Sequence, residues 1–434
     1  MNNPIKILRL CWSLLLLSIL SPVGSSIKLN VTSNTSICDA TSIITKGILD
    51  YYEGTRFNGT VGMFQQPYYW WKAGSAFGGM LENWYLCQND TFESLLTDAM
   101  LHQAGKDYDY LPENQTMVEA NDDQGVWGLT IMGAVERNFT DPQGKDVPGW
   151  LAMAQSIFNQ MYSRWDTGSC GGGLRWQIYD WNKGYNYKNT ISTACLFQMA
   201  ARLGRYTGNS TYLKVADKTF QWMVDIGYIQ LNTSSGRVFD GAHIESNCSD
   251  ITKLEWSYNH GIVLGGCAYM YNATKSPEWG MNTIKILNGA TTYFFQNKTM
   301  LETACQRPDR VFCNNDQRTF KSIFSRMLGL TSVMAPFTSE RIDPLIVQSA
   351  EAAALSCTGG FDNETCGLNW LEGKNDGYYG LGEQLSALEV IQNLLIHKRP
   401  PPYMAKTDKN KVGGVSKGDP AAGTKPKPPP KKEE

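Results

Sequence analysis

The sequence predicts an all-α protein, because helical periodicity runs through most of the chain and strand-like alternation is rare. Glycine-rich loops separate the helical segments, which follow one another in pairs. Consecutive αα-hairpins of this kind form either a closed toroid or an open solenoid. No linker-like segment interrupts residues 39–397, so we expect one domain. The predicted helices cover residues 39–54, 75–103, 121–136, 148–163, 190–206, 211–227, 257–272, 277–297, 319–334, 340–356 and 380–396.

One segment departs from the helical pattern. Between residues 171 and 188, Leu174, Trp176 and Ile178 alternate with polar residues, and Lys183-Gly184 supplies a turn. The sequence therefore predicts a small β-hairpin near 171–188 that projects from one face of the helical domain.

The two ends of the chain differ from its body. Residues 1–26 combine a basic start, an apolar run from Leu10 to Leu20 and small residues near a cleavage site, which is typical of a secretory signal. Residues 398–434 are rich in Pro and Lys and nearly devoid of apolar side chains, which predicts a disordered basic tail. The predicted folded domain is therefore 27–397.

Cysteines and glycosylation sequons both indicate the secretory pathway. Beyond the signal there are ten cysteines, an even number that favours disulfides in an oxidising compartment. Cys305 with Cys313, and Cys357 with Cys366, are close enough for local loops; the other pairings stay open. Twelve Asn-x-Ser/Thr sequons predict a glycosylated surface. We expect a secreted protein of the cell wall or outer membrane surface.

Composition excludes several functional classes. The 434 residues carry a formal net charge of -2, which argues against a nucleic-acid partner. Four histidines and the absence of a metal or nucleotide motif predict no metal and no cofactor. The aromatic excess, with 13 Trp, 21 Tyr and 16 Phe, suits stacking against the apolar faces of sugar rings.

The most informative local feature is the pair Asp122-Asp123 at the opening of a predicted helix. Two adjacent carboxylates repel each other, so one of them tends to hold a proton. A retaining glycosidase needs such a pair, one acid as nucleophile and the other as acid and then base. The alternative is ordinary capping, since acidic residues are common in the first turn of a helix.

Aromatic residues recur at the openings of other predicted helices. Trp70 and Trp71 precede one helix, and Trp256 and Tyr258 open another. Each of them alone is more typical of a core than of a ligand platform. In a helical toroid, however, the helix openings converge on one end, where a groove would form.

These motifs together resemble glycoside hydrolase family 76, and within it the fungal cell-wall mannan endo-1,6-α-mannosidase-like proteins. The similarity covers roughly residues 38–397. The motifs that carry it are Glu119 to Leu129, Trp70-Trp71-Lys-Ala-Gly, Cys170-Gly-Gly-Gly-Leu-Arg-Trp, Lys188-Asn189 and Glu255-Trp-Ser-Tyr-Asn.

The resemblance implies an (α/α)6 barrel and a retaining enzyme that acts on α-1,6-linked mannose. It implies that Asp122 is the nucleophile and Asp123 the acid/base. The implied substrates are α-1,6-mannan or the mannosyl glycan of a glycolipid anchor, with water or wall β-glucan as the acceptor. Such relatives usually end in an anchor signal, and this sequence ends in Lys-Lys-Glu-Glu, so membrane association is left open.

Further residues are expected to bind the substrate near the acid pair. The expected set is Asn121, Gln124, Trp127, Trp176, Gln177, Lys188, Asn189, Asp240, Trp256, Tyr258 and Asn259. Two other functions fit the same residues: a carbohydrate-binding scaffold without turnover, and an inverting toroid glycosidase. In the inverting enzyme a more distant acid such as Glu255, Asp376 or Glu383 would be the partner of an aspartate.

Overall fold

The structure, a computed structural model, describes residues 27–306, 312–405 and 413–425. Twelve of its helices alternate between an outer and an inner position. The outer helices are α1 (Asn34–Leu49), α3 (Glu93–His102), α5 (Trp150–Ser163), α7 (Ser210–Asp225), α9 (Pro277–Tyr293) and α12 (Ser339–Ser356). The inner helices are α2 (Trp70–Cys87), α4 (Asn121–Glu136), α6 (Thr190–Thr207), α8 (Ser257–Thr274), α11 (Phe320–Met334) and α13 (Leu381–Gln392). A further short helix, α10, covers Thr303–Gln306.

The six inner helices close into a ring. Each packs against the next in chain order, and α13 returns to pack against α2. The fold is therefore the (α/α)6 toroid. Because the inner helices are covered on nearly every side, all the residues of α13 are buried. Small residues allow this packing: a Cβ on Gly266 of α8 would lie 2.3 Å from the ring of Phe197 on α6.

Most helix boundaries lie within a few residues of the predicted ones, although α1 begins and ends five residues earlier than the predicted 39–54. One predicted helix is wrong. The segment 75–103, expected as one helix, forms α2 and α3. Helix α2 ends at Cys87, and the backbone of the following residue, Gln88, is left-handed at φ 53°. Asn89 then accepts hydrogen bonds from the backbone N–H and the hydroxyl of Thr91 and builds a turn. The apolar spacing continues across this turn, so periodicity alone does not reveal it.

Seven short strands interrupt the helices in the described part of the chain: β1 (Tyr187–Asn189), β2 (Ile229–Leu231), β3 (Gly236–Val238), β4 (Gly241–His243), β5 (Ile251–Thr252), β6 (Phe295–Gln296) and β7 (Thr299–Met300). They form a three-stranded sheet in the order β1-β4-β5 and two hairpins, β2-β3 and β6-β7. All the pairings are antiparallel; in the sheet, Lys188 lies opposite Ala242.

The expected hairpin near 171–188 takes a less regular form. The loop is closed by one antiparallel bridge between Arg175 and Lys188 and by a 2.7 Å hydrogen bond from Trp176 N–H to the Tyr187 carbonyl. No longer ladder forms, because residues 171–173 have positive φ and the strand β1 pairs with β4 instead. The result is an irregular loop that carries Trp176 to the open end of the toroid.

Four disulfides occur among the described residues. The two local bonds Cys305–Cys313 and Cys357–Cys366 are present as expected. The other two join Cys38 to Cys87 and Cys170 to Cys248. The remaining pair, Cys195 and Cys267, is reduced and buried on inner helices.

The chain after Lys398 differs from the disordered tail that its composition predicts. Its described parts, residues 399–405 and 413–425, lie against the body, and we call them the C-terminal strap. Tyr403 N–H donates to the Glu136 carbonyl at 2.8 Å, and Lys417 N–H donates to Asp141 at 2.9 Å. Composition misses this order because the strap is held by polar contacts, not by burial of a periodic apolar face.

The strap closes the end of the toroid where the inner helices terminate. Buried ion pairs lie there, including Arg137–Glu82 at 2.8 Å and Arg202–Glu136 at 2.7 Å. Arg205 donates to the strap carbonyls of Pro402 and Tyr403 at 2.9 and 3.1 Å. These contacts satisfy charged donors that would otherwise be buried without partners.

The predicted signal, 1–26, lies outside the described residues. Within the described ranges, no helix has both the length and the apolar content that crossing a membrane requires.

Candidate active site

A cleft of about 540 Å3 opens at the end of the toroid where the inner helices begin. It contains the acid pair, and its walls come from the loops that lead into α2, α4, α8 and α11. Aromatic and polar residues line it together with the two aspartates. The lining residues are Tyr69, Trp70, Trp71, Met117, Val118, Ala120, Asp122, Asp123, Val126, Trp176, Gln177, Asn182, Lys183, Ile191, Trp256, Tyr258, Asn314, Asp316, Gln317 and Phe320.

The acid pair occupies the first turn of α4, and both aspartates line the cleft. Asp123 Oδ2 accepts a 2.9 Å hydrogen bond from Ala120 N–H, while Asp122 Oδ1 accepts one of 3.1 Å from Asp123 N–H. The capping interpretation and the catalytic interpretation are therefore compatible. Hydrogen bonds from the helix opening fix the orientation of two carboxylates that remain accessible from the cleft.

The surroundings of the two acids raise the pKa of both carboxyl groups. Burial raises the pKa of Asp122 to about 7. Burial and the neighbouring charge of Asp122 raise the pKa of Asp123 well above the usual range of an aspartate. Because the pair is coupled, losing the first proton makes loss of the second harder. The pair can therefore hold one proton, and this favours Asp123 as the acid and Asp122 as the ionised partner.

Buried polar side chains fix the helix opening from behind. Arg164, at the end of α5, donates to Asn121 Oδ1 at 2.8 Å and also to Gln124 Oε1. Asn121 Nδ2 donates to the Arg175 carbonyl at 2.9 Å, and Gln124 Nε2 donates to the Asp109 carbonyl at 2.8 Å. Asn121 and Gln124, expected to contact the substrate, are instead occupied in positioning the residues between them.

The aromatic wall brings together residues that are distant in sequence. Tyr258 of α8 and Phe320 of α11 stack with ring centroids 3.8 Å apart, and Trp256 meets Phe320 edge-on at 5.5 Å. Trp176 projects from the 171–188 loop, remains 37% exposed and hydrogen-bonds Asp122. The exposed aromatic face of Trp176 beside the acids is suited to stacking against a sugar ring.

Three of the expected substrate contacts lie outside the cleft. Trp127 is fully buried and packs on Trp70 at 5.5 Å, inside the barrel core. The buried Lys188 ammonium donates to the carbonyls of Asp166, Ser169 and Gly172 at 2.6 to 2.8 Å and so holds the glycine-rich loop. Asn189 caps α6 by accepting from Ser192 N–H.

Two further expected contacts stand behind the aromatic wall. Asp240 accepts a 2.7 Å hydrogen bond from Tyr187 and another from Trp256, so it orients a residue of the wall. Burial raises the pKa of Asp240. Asn259 is fully buried on α8 and does not line the cleft. Of the expected set, Trp176, Gln177, Trp256 and Tyr258 line the cleft with the acid pair.

The loop before α11 forms a wall of the cleft that no motif of the sequence predicts. Asn314, Asp316 and Gln317 line the cleft there, although no motif marks them. The signal that could have found them is the same rule that found the aromatics: polar residues just before an inner helix face the open end. Asp316 adds a third carboxylate to the cleft.

The more distant acids considered for an inverting enzyme lie outside this cleft. Glu255 pairs with Arg237 and lies 3.0 Å from His260. Asp376 accepts from the backbone N–H groups of Leu368 and Asn369, so it shapes a loop. Glu383 lies 3.4 Å from Arg318. No group of three or more metal-ligating side chains occurs in the described ranges.

A toroid of αα-hairpins that presents two neighbouring carboxylates in an aromatic cleft defines a glycoside hydrolase. The chain belongs to glycosyl hydrolase family 76, since the model of that family matches residues 36–406. It is 69% identical over 396 residues to mannan endo-1,6-alpha-mannosidase DFG5 of Saccharomyces cerevisiae, covering 91% of this chain and 84% of that protein. The enzyme of the same name from Candida albicans is 51% identical, with 92% and 86% covered.

Solved structures agree with the fold. Dfg5 from Chaetomium thermophilum, crystallised with glucosamine, has a TM-score of 0.85 and 36% identity, covering 91% of this chain and 97% of that one. An inactive variant of the α-1,6-mannanase GH76A of Salegentibacter, in complex with α-1,6-mannotetrose, has a TM-score of 0.66 at 15% identity, with 83% and 98% covered. The second comparison supports the (α/α)6 architecture alone.

Proposed function

We propose that the protein is a mannan endo-1,6-α-mannosidase of the fungal cell wall, acting with retention of configuration. The observation that carries this proposal is the placement of Asp122 and Asp123 in one aromatic cleft, where burial raises the pKa of both carboxyl groups. The names of the fungal relatives support the substrate, since they share up to 69% identity with this chain.

In the first half of the reaction, an α-1,6-mannoside lies along the aromatic wall. Asp123 protonates the glycosidic oxygen while the Asp122 carboxylate attacks the anomeric carbon, and the leaving sugar departs with that proton. A covalent mannosyl-enzyme results. Trp176 contributes by hydrogen-bonding Asp122, which fixes the attacking carboxylate.

In the second half, Asp123 removes a proton from the acceptor, whose oxygen then attacks the anomeric carbon and releases Asp122. Water as the acceptor gives hydrolysis. A sugar hydroxyl gives transfer, and a wall β-glucan is the acceptor that we propose for it. The aromatic residues on both sides of the acids support a cleft that holds sugar on each side of the cleaved bond.

The test is incubation of the secreted protein with a short α-1,6-mannooligosaccharide, with and without a β-glucan acceptor. Mass spectrometry identifies the products and NMR gives the anomeric configuration of the first one. We expect shortened α-anomers, and mannosyl-glucan when the acceptor is present. A β-anomer would contradict retention. Binding without any product would favour the carbohydrate-binding scaffold, which the same cleft could serve.

A further inference from the structure

The first turn of α8 carries part of the aromatic wall, and the opening of this helix has no cap of its own. The capping position is occupied by Trp256, whose side chain makes no capping hydrogen bond. The helix begins at Ser257, and the residues on either side of it, Trp256 and Tyr258, both line the cleft. The conformation at Ser257 therefore decides where two rings of the wall lie.

Glu302 supplies the missing partner from a segment 45 residues further along the chain. Its side chain is fully buried. Glu302 Oε1 accepts a 3.1 Å hydrogen bond from Ser257 N–H, and Oε2 accepts another from the Ser257 hydroxyl. Two bonds to one residue restrain both its backbone and its side chain. Glu302 therefore caps α8 from outside the helix.

The same residue is tied to a second wall of the cleft. The Glu302 carbonyl accepts from the N–H groups of Cys305 and Gln306 at 3.1 and 2.9 Å. Cys305 forms its disulfide with Cys313, and the loop before α11, which lines the cleft from Asn314 onward, follows that bond. Glu302 therefore links the aromatic wall to the polar wall that this loop forms.

Further polar contacts support the aromatic wall behind Phe320. Lys321, the next residue of α11, donates to the Leu368 carbonyl at 2.6 Å. Gln306 Nε2 donates to the same carbonyl at 3.0 Å, and Gln306 Oε1 accepts from Glu302 N–H. The rear of the wall is thus one connected set of hydrogen bonds that runs from α8 through Glu302 to α11.

Stability alone does not account for an acid at this position. Burial raises the pKa of Glu302 to about 8, so its charge is poorly solvated. The positive charge of Lys321 acts against this rise, and that ammonium is already hydrogen-bonded to the Leu368 carbonyl. An apolar side chain of similar size would avoid the cost of burying a carboxyl group. It could not make the two hydrogen bonds to Ser257.

We propose that Glu302 is a positioning residue for sugar binding, which fixes the first turn of α8 against the loop before α11 and so holds Trp256 and Tyr258 in place. The proposal rests on the proposed function, because the ligand is the mannoside that Asp122 and Asp123 cleave. Glu302 does not itself line the cleft, so it acts through the two rings. The acids stand on a different helix, α4, so loosening the wall should weaken substrate binding more than it slows the chemical step.

The test measures KM and kcat on an α-1,6-mannooligosaccharide for the wild type and three replacements of Glu302. Glu302→Leu removes both acceptors, and Glu302→Asp withdraws them by one methylene. Glu302→Gln is the conservative variant, because its amide oxygen can accept from Ser257 N–H while its amide nitrogen donates to the hydroxyl oxygen. Thermal melting of every variant reports its stability.

The matched control is Asp141→Leu, at the other end of the toroid. Asp141 accepts from the N–H of Trp150, the first residue of α5, at 3.1 Å, and from the Ser416 hydroxyl at 2.6 Å. It therefore caps an outer helix much as Glu302 caps α8, but it lies outside the cleft. This variant should lower the melting temperature and leave KM and kcat unchanged.

We expect Glu302→Leu to raise KM by about two- to tenfold, the contribution of one aromatic contact, with a smaller change in kcat. Glu302→Asp should raise KM as well, and Glu302→Gln should stay close to the wild type. In a Trp256→Ala background, Glu302→Leu should add less to KM, because one of the rings that Glu302 positions is already absent. Fully additive effects would show that Glu302 acts independently of the wall and would overturn the proposal.

An unchanged KM in Glu302→Leu also overturns the proposal. If Glu302→Leu does not fold, an unchanged KM in Glu302→Asp has the same consequence. In both cases a wild type that cleaves the mannoside shows that the proposed function stands and only the role of Glu302 fails. If the wild type cleaves no mannoside, the proposed function fails. Ligand-observed NMR titration of the mannooligosaccharide then gives a dissociation constant that replaces KM in the same comparison.

Discussion

Asp123 accepts a hydrogen bond from the backbone N–H of Ala120 at 2.9 Å, so the acid that caps α4 is also one of the two carboxylates of the cleft. A cap normally favours the ionised acid, because the helix opening is electropositive. Here burial and the charge of Asp122 outweigh that effect and raise the pKa of Asp123. The helix opening fixes the orientation of the Asp123 carboxyl group, while desolvation favours its protonated form.

Replacing the two acids separately should give different losses. Asp122→Ala should abolish turnover of every mannoside, since no covalent intermediate can form. Asp123→Ala should lose about 100- to 10,000-fold on a mannooligosaccharide, the usual contribution of general acid–base catalysis. It should lose far less on a dinitrophenyl mannoside, whose leaving group needs no proton. Steady-state kinetics on the two substrates measures both effects.

Azide provides the control for this assignment. It can replace the deprotonated acceptor, so it should accelerate Asp123→Ala on the activated substrate and yield the α-mannosyl azide. Formation of the β-mannosyl azide by Asp123→Ala, or of the α-mannosyl azide by Asp122→Ala, would reverse the two roles.

The pH dependence of kcat/KM follows from the same pair. The pKa of Asp122 is raised to about 7, and only its ionised form attacks, so kcat/KM should fall as the pH drops through this pKa. Asp123 acts while protonated, so kcat/KM should fall again as the pH rises through its higher pKa. A bell-shaped profile displaced well above the usual range of aspartates is the expected measurement.

The charge of Asp316 raises the pKa of Asp122 and of Asp123. Asp316→Asn should therefore move the acidic limb of the profile to lower pH. A limb that stays in place would show that Asp316 is not electrostatically coupled to the pair.

Arg164 positions the acid pair without lining the cleft. Its guanidinium joins Asn121 and Gln124, which flank the two aspartates. Arg164→Gln should lower kcat by about tenfold or more while changing KM little, because small displacements of catalytic groups are costly. Arg164→Lys should recover part of kcat.

The matched control for that variant is Lys214→Gln, which removes an exposed charge from the outer helix α7. It should behave as the wild type in both kcat and thermal melting. A loss of stability in Arg164→Gln with unchanged kcat would show a structural role only.

Truncation tests the C-terminal strap. Ending the chain after Lys398 removes the carbonyl partners of Arg205 and the Tyr403 contact to Glu136. Each buried group left unsatisfied costs about 1–3 kcal/mol, so we expect a loss of several kcal/mol in the free energy of unfolding. Chemical denaturation followed by tryptophan fluorescence measures it.

Ending the chain after Ala405 is the comparison. This truncation keeps the contacts of Pro402 and Tyr403 and removes the contacts that residues 413–425 make with α5, so the loss should be smaller. If the chain that ends after Lys398 has the same free energy of unfolding as the full chain, the strap adds nothing to the stability of the fold.

The sequence by itself determined the helical class, the two local disulfides and the acid pair. These features are local: periodicity reports which face of a helix is buried, and Asp122 and Asp123 are neighbours in the chain. Periodicity alone is compatible with a closed toroid and with an open solenoid. The resemblance to a known family predicted the closed ring. It is confirmed by the return of α13 to α2.

Only the tertiary structure decided which candidates reach the cleft. Lys188 and Trp127 occur in the matching motifs, yet one holds a loop and the other fills the core. Asp316 stands in no motif and faces the acids from a loop far along the chain. Which side chains lie close together across a toroid depends on how its inner helices close into a ring. The strap binds the body through hydrogen bonds from side chains, and amino-acid composition does not predict such contacts. Local sequence carries neither kind of information.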